Sequence, residues 1–409
     1  MVLMSLVVQK YGGTSVADAD RIRAVAEHVV HTKRQGHDLV VVVSAMGKTT
    51  DGLIRLAHDV SPEPHLRELD MLISAGERIS MALLCMAIHD LGVHATSFTG
   101  SQAGIVTDST HGKAKIIEVR ADRLRDGLAL GHVVVVAGFQ GVSVDKEITT
   151  MGRGASDLTA VALASALGAD ACEIYTDVNG VYTADPRVVP NARRLNSVSY
   201  EEMLELAATG GRVLALRSVE FARNYSVALH VRSSFSWAPG TWVRKEEDVE
   251  KAIISGVTHD LSEAKVTVVG VPDKPGIAAR LFRALADAAV NVDMIEQNVS
   301  LRGVTDISFT LPRADLVVAR RITEAMAAEI GATEVFADPD IGRISLVGAG
   351  MKTHPGVAAT MFEALADEGV NIEMISTSSI RISCVVRGDD VERAVRALHD
   401  RFELEKTPG

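Results

Sequence analysis

Along the first half of the chain, short β-branched runs alternate with longer segments whose apolar residues recur every three or four positions. Leu6 to Val8, Leu39 to Val43, Val133 to Ala137 and Glu173 to Tyr175 read as strands, and runs this apolar belong to a largely parallel sheet covered on both faces. Between them Ile22, Val25 and Val29 fall at helical spacing, as do Ile79, Leu83 and Ala87, so each set predicts an apolar stripe laid against the sheet. The alternation predicts an α/β domain.

The pattern changes near residues 238–252. Ala238, Pro239 and Gly240 are followed by the charged run Lys245, Glu246, Glu247, Asp248, Glu250 and Lys251, which reads as a linker. Beyond it the sequence repeats itself. Gly270, Pro275, Gly276, Ala284, Leu285, Ala286, Asp287 and Asn291 recur, each 80 residues on, as Gly350, Pro355, Gly356, Ala364, Leu365, Ala366, Asp367 and Asn371. Identities at one fixed offset, in the order strand, Pro-Gly turn, helix, strand, predict two copies of a small α+β unit. Two copies are too few for a solenoid, so they are expected to pair side by side.

Composition narrows the function. A chain of 409 residues that is 47% apolar builds two or three cored domains and is not disordered. Its 42 Lys and Arg against 53 Asp and Glu leave a net charge of −11, which repels nucleic-acid phosphates. Cys85, Cys172 and Cys384 form no CxxC pair, so neither a disulfide framework nor a zinc site is readable. The short apolar stretch from Met1 to Val8 ends at Lys10, and no run is expected to approach the roughly 18 residues of a membrane span. The expectation is an unexported cytoplasmic protein with small-molecule or protein partners and neither nucleic acid nor membrane.

Four strings carry candidate chemistry. "KYGGTS", Lys10 to Ser15, joins a strand to a helix; its glycines suit either a tight turn or a phosphate cradle to which Lys10 adds a cation. "MGKTTDG", Met46 to Gly52, is not a P-loop, because Val42 stands where that pattern needs glycine. Ser44 instead lies where the strand ends of open α/β sheets meet ligands, while Thr49 and Thr50 read also as helix caps ahead of Leu53 and Leu56. "SAGERIS", Ser74 to Ser80, sets Glu77 in a helix's first turn, as a dipole partner or a ligand. In "ITTMGRGASDLTAVALASAL", Ile148 to Leu167, a Gly-rich loop with Arg153, whose planar fork suits a carboxylate, opens a helix through Ser156 and Asp157. Downstream, "YTDVNGVYTADPR" carries Asn179-Gly180, a hairpin signal, among Thr176, Asp177, Tyr182, Asp185 and Arg187.

Together with "FTGSQAGI", "VVAGFQGV", "EEMLELA" and the doubled tail, these strings resemble, over nearly the whole chain, aspartate kinases of the amino-acid kinase family, whose C-terminal repeats resemble ACT domains. The resemblance implies a three-layer α/β sandwich over 1–250, a first ferredoxin-like ACT domain over 263–337, and a second made of 251–262 with 338–409. It implies transfer of the ATP γ-phosphate, with Mg²⁺, to the side chain of L-aspartate. Lys10, Tyr11, Gly12, Gly13 and Ser44 would then meet the phosphates. Ser44, Thr50, Glu77, Arg153 and Ser156 would hold aspartate, with Arg153 on a carboxylate and Glu77 on the ammonium. Asp157 would orient Lys10 or the metal, and Thr176, Asp177, Tyr182, Asp185, Arg187 and Arg212 would surround the nucleotide.

Effector contacts for threonine or lysine would fall on Val292, Asp293, Met294, Gln297 and Asn298, and on Asn371 and Ile372 in the second copy. Read without the resemblance, Asp293 and Asn298 are solvated loop residues. ACT pairing implies a homodimer or larger assembly. No methionine lies between Met203 and Met294, so an internal ATG start there is excluded, and only a GTG codon at Val243 or Val249 would start a separate regulatory chain. The sequence departs from the family at Met151, Ala155 and Leu158 in the substrate loop, at Asn179 where Asp is common, and at Arg212 where Lys is usual. Ala155 brings a Cβ where the family has glycine, and Leu158 removes a hydroxyl. An ordinary aspartate kinase, a relative with another substrate, and a weak amino-acid sensor are the three readings, the first favoured by the retained Lys10, Glu77, Arg153 and Asp157.

Overall fold

The structure, a computed structural model, describes residues 5–152, 154–211, 213–245, 253–298, 303–352 and 354–407. The chain forms two compact units: 1–181 with 194–207 and 212–249, and 182–193 with 208–211 and 250–409. The second unit thus takes in two segments that the contiguous 1–250 domain read from sequence would have claimed.

In the first unit the elements run β1 (Leu6–Tyr11), α1 (Ala19–Arg34), β2 (Asp38–Val43), α2 (Thr49–Val60), α3 (Leu66–Ile73), α4 (Ala75–Asp90), β3 (Ala95–Phe98), β4 (Ile105–Thr107) and β5 (Ile116–Val119). There follow α5 (Asp122–Ala129), β6 (Val133–Ala137), β7 (Gln140–Ser143), β8 (Ile148–Thr150), α6 (Ala155–Leu167), β9 (Ala171–Thr176), β10 (Ser197–Ser199), α7 (Tyr200–Ala208), α8 (Leu216–Tyr225), β11 (Leu229–Ser233) and β12 (Thr241–Arg244). Eight strands form one sheet in the order β10-β12-β11-β9-β1-β2-β6-β3, parallel except where β11 meets β12. A smaller sheet, β5-β4-β7-β8, lies beside the chain's return to α6. The central strands β2 and β6 are nearly all valine because both faces of the sheet are covered: α1 and α4 pack on one, α6 on the other. Ala155 through Leu163 and Ala164 of α6 are all buried, and an Ala-rich helix wrapped on every side is what allows its backbone to sit close to β1.

Three expectations are corrected here. Ile79 and Leu83 are 51% and 38% exposed; the buried stripe of α4 is Met81, Leu84, Cys85 and Ile88, joined by Gly76, Glu77 and Ser80. Both sides of α4 are apolar enough to face inward, so spacing alone does not select the face. Residues 241–244 belong to the large sheet as β12, and Pro239 and Gly240 accept hydrogen bonds from His230 and Arg194, so the linker does not begin at 238. Finally, α3 and α4 run on as Leu66–Asp90, 25 residues, long and apolar enough to cross a membrane by length and composition, with half of that stretch buried inside the protein. Asp70 and Glu77, which interrupt its apolar run, are buried as well.

In the second unit two antiparallel sheets carry the repeat. The first contains β14 (Glu263–Pro272), α9 (Ile277–Asp287), β15 (Ile295–Gln297), β16 (Val304–Pro312), α10 (Leu316–Ile330) and β17 (Glu334–Asp338), in strand order β15-β16-β14-β17. The second borrows the earlier β13 (Gly256–Asp260) and joins it to β18 (Ile341–Val347), α11 (Val357–Asp367), β19 (Met374–Thr377), β20 (Arg381–Arg387) and α12 (Val391–Arg401), in strand order β13-β18-β20-β19. Each Pro-Gly places its glycine, Gly276 or Gly356, in the left-handed region just before a helix, a conformation glycine adopts without a Cβ penalty. Cys85, Cys172 and Cys384 are free and buried, and burial pushes the thiols of Cys85 and Cys384 up to about 12.

The inner face of α4 gives a direct test. Leu84→Ala should destabilise the protein by ~2–5 kcal/mol, whereas Ile79→Ala should cost ~0.5 kcal/mol or less; urea unfolding of both variants measures the difference.

Candidate active site

The parallel strands β1, β2, β6 and β9 end together: Tyr11 lies opposite Val43 and Tyr175, and Val43 opposite Ala137. Their carboxyl ends form the edge at which open α/β sheets take ligands. Strand alternation sends Lys10 and Tyr11 to opposite faces. Lys10 turns toward α6, where its Nζ lies 2.6 Å from Asp157 Oδ1, both side chains almost fully covered. Tyr11 turns the other way, is fully buried, and stacks on Tyr175 with ring centroids 4.6 Å apart. Its side chain therefore belongs to the core, and only its backbone reaches the edge.

The Gly12-Gly13 turn is laced into its surroundings. Gly12 N–H donates to Tyr175 O at 3.3 Å, Ser15 N–H to Gly12 O at 2.9 Å, and Gly47 N–H to Gly13 O at 3.0 Å. A Cβ on Gly13 would lie 3.0 Å from Ala45 O, so close approach of the next loop requires glycine there. Ser44 N–H donates to Tyr11 O, and Ser80 Oγ–H donates to Ser44 O at 2.7 Å, which fixes the β2 loop against α4. A Cβ on Gly138 would fall 2.6 Å from Ser156 Oγ; the glycine that follows β6 leaves room for Ser156 in the first turn of α6. Gly138 has no polar atom to mark it and was visible in the sequence only as part of "VVAGFQGV".

Glu77 enters this edge from the first turn of α4. Its Oε1 accepts Ala45 N–H at 3.0 Å, while its buried Oε2 has no partner among the described residues. Burial raises the carboxyl to about 8, against the lowering pull of two backbone N–H bonds. Such an orphaned carboxylate oxygen is suited to receive a cation. Thr50 is half-buried in the first turn of α2. Neither threonine caps that helix: its N-cap is Lys48 without a side-chain bond, and Thr49 Oγ–H donates to Met46 O at 2.6 Å.

The departures at Met151, Ala155 and Leu158 share one apolar cluster with Ile73, Ala114 and Phe139. Leu158 is buried in that cluster, so the lost hydroxyl is lost from packing. Ala155 is an ordinary helical residue, and the positive φ values fall on Gly152 and Gly154. The Asn179-Gly180 pair does not close a hairpin: 177–180 is a run of bends after β9, with Gly180 at φ 132° and Asn179 Oδ1 accepting from Ser236 Oγ–H at 2.6 Å. A Cβ on Gly180 would lie 2.5 Å from Thr241 Oγ1, so packing against β12 sets the backbone there. Thr176 Oγ–H donates to Asp177 at 3.1 Å on the same sheet edge.

Tyr182, Asp185 and Arg187 belong to the second unit, where Arg187 pairs with Asp185 at 2.7 Å and holds its carboxyl below the usual range. Arg153 and Arg212 lie outside the described residues. Among the expected effector residues, Val292 packs on the first repeat's core and Ile372 on the second's. Met294 is buried with Ile341, Met374 and Val385 in a small cluster joining the repeats. Asp293 is ion-paired with the buried Arg343, whose other nitrogen reaches Glu263 at 2.8 Å and Ala208 O at 3.0 Å. Gln297 ends β15, Asn298 O accepts from Thr305 Oγ–H, and Asn371 is exposed.

The amino acid kinase family matches residues 5–233, and the ACT domain matches 266–326 and 344–402. The aspartokinase of Mycolicibacterium smegmatis is 61% identical over 98% of this chain and 97% of its own length. The E. coli aspartokinase III structure with aspartate and ADP superposes with a TM-score of 0.82 at 27% identity, covering 97% of this chain and 99% of that one. The same enzyme with lysine and aspartate gives 0.75 at 26% identity, with the same coverage.

The raised Glu77 carboxyl has a consequence for stability. Between about pH 4.5, where it ionises in the unfolded chain, and about 8, the folded state holds the extra proton, so stability falls as pH rises through this window. Glu77→Gln should flatten that slope and stabilise the ligand-free protein at pH 8 more than at pH 5, measured by urea unfolding at the two pH values.

Proposed function

The chain belongs to the amino acid kinase family, in its aspartokinase branch, and from that premise we propose how its residues work. The reaction is transfer of the ATP γ-phosphate to the side-chain carboxylate of L-aspartate, giving 4-phospho-L-aspartate, the first step toward lysine, threonine and methionine. A free aspartate side chain, with pKa about 3.9, is ionised at neutral pH and is its own nucleophile. One of its oxygens bonds to the γ-phosphorus as the bond to the bridging oxygen breaks, and ADP leaves with that electron pair. No general base is needed; the obstacle is repulsion between two anions.

The Lys10–Asp157 pair at the sheet edge carries this reading. Lys10 supplies a fixed positive charge where charge accumulates in the transition state, and Asp157 orients it. The Gly12-Gly13 turn and Ser44 line the phosphate path, and Thr176 with Asp177 meets the nucleotide. Tyr182, Asp185, Arg187 and Arg212 join the nucleotide set through their sequence motif alone. Ser44, Thr50, Glu77 and Ser156 hold aspartate, the unpartnered Glu77 Oε2 taking its ammonium; Arg153 joins them by its motif. Mg²⁺ carried by ATP would supply neutralisation of the phosphate charge. Asp157 and Asp177 are carboxylates at that edge suited to a hydrated ion, and the first of them is already paired with Lys10.

The repeats are proposed to receive threonine or lysine as feedback effectors around Asp293 and its counterpart region near Asn371, with a coupling of ~1–3 kcal/mol. Exposed Ile295 and Phe336 on the edge strands β15 and β17 support homodimer formation through these sheets. Buried free thiols fit a cytoplasmic setting. An inactive sensor would have no use for the covered Lys10–Asp157 pair and the orphaned Glu77 oxygen, which favours catalysis.

Hydroxylamine should trap an ATP-dependent acyl phosphate with L-aspartate and not with L-glutamate or N-acetylglutamate. Lys10→Ala should lower kcat by ~10²-fold or more with its circular dichroism unchanged. Lysine or threonine at millimolar concentration should slow the wild-type rate; indifference to both removes the regulatory part alone.

A further inference from the structure

Asp70 in α3 is 0% exposed, and a carboxylate so placed is costly unless donors surround it. Four hydrogen bonds converge on it. Thr150 Oγ–H donates to Oδ1 at 2.5 Å, His111 Nδ1–H to Oδ2 at 2.8 Å, and Gly112 N–H lies 3.1 Å from both oxygens. The donors come from two separate segments, the 108–114 loop and the end of β8. These segments are also joined directly, Ala114 N–H donating to Thr150 O at 3.0 Å.

Thr150 is the last residue of β8, ahead of the Gly-rich turn that opens α6 at Ser156 and Asp157. Beyond Thr150 the turn is held by Met151 N–H on Phe139 O and by Arg217, which donates to Met151 O at 2.9 Å and Ala114 O at 3.3 Å. Across the turn, a Cβ on Gly152 would lie 3.4 Å from Gly112 O. The apolar cluster of Ile73, Met151, Ala155 and Leu158 packs beneath it and is joined by Leu69, the residue before Asp70. Asp70 is therefore the polar tie of an otherwise apolar floor.

We propose that Asp70, by clamping Thr150 and the His111-Gly112 segment, is a positioning residue that sets the height of Met151 and Gly152 at the entry to α6 and hence the affinity for the carboxylate-bearing substrate. It touches neither substrate nor nucleotide. The proposal rests on the reading above that this turn holds aspartate. A positional error of about 1 Å at such a turn is enough to cost large factors in rate, and the nucleotide-facing Gly12-Gly13 turn has no bond to Asp70, so the effect is selective.

The test uses the full-length protein and steady-state kinetics in both substrates. Asp70→Asn, which turns an amide donor toward existing donors, should raise KM for L-aspartate by ~10-fold or more while KM for MgATP stays within about twofold. Thr150→Val, which keeps shape and removes the hydroxyl, should reproduce the direction, and Thr150→Ser should restore near-native values; this pair decides the matter if Asp70→Asn does not fold. Equal rises in both KM values, or a lowered Tm with unchanged kinetics, overturn the proposal while leaving the aspartokinase reading intact. A wild-type protein that forms no aspartyl hydroxamate overturns both.

Discussion

The geometry of the candidate site depends on one contact, the 2.6 Å approach of Lys10 and Asp157. A long, flexible ammonium side chain at a strand end would sample many positions and be strongly hydrated. Here it crosses from β1 to α6, and its carboxylate partner sits in the first turn of a helix buried over ten successive residues. Removing either member would leave a charge stranded in a poorly solvated place. Such a pair is a weak source of net stability. What it provides is direction: the positive charge is held at the edge before any phosphate arrives, so little reorganisation remains for the reaction.

Close approach is the second constraint, and glycines meet it. Gly13 admits the loop after β2, Gly138 leaves room for Ser156, and Gly76 lets the start of α4 come down on Ala45, where a Cβ would meet the alanine methyl at 2.8 Å. That last contact brings Glu77 to the edge. Beneath the opposite side, Met151, Ala155 and Leu158 pack together as one apolar floor, and the helical backbone at Ala155 carries its Cβ without strain.

Much of the architecture was legible because it rests on local pattern. The valine-rich strands, the helical spacing of α1 and the 80-residue repeat all follow from periodicity, and Lys10, Glu77, Ser156 and Asp157 stood in strings whose order is diagnostic. The misreadings came where two solutions share one pattern. Ile79 and Leu83 have the spacing of a buried stripe, but so do Met81, Leu84 and Ile88, and only tertiary packing chooses. Asn179-Gly180 has hairpin chemistry, yet Gly180 packs against Thr241 and the chain bends onward. Asp70 was invisible because its donors lie 41 to 80 positions away in sequence, beyond any local window.

The three cysteines have a practical consequence. Each lies in a separate stretch of core, and burial holds the thiols of Cys85 and Cys384 almost wholly protonated at neutral pH. Thiolate is the species that reacts with maleimides and iodoacetamides, so the native fold contributes little background to such labelling. One cysteine introduced on the outer face of α4 would take up a fluorophore at a single defined place, giving an optical handle without first stripping the natural thiols.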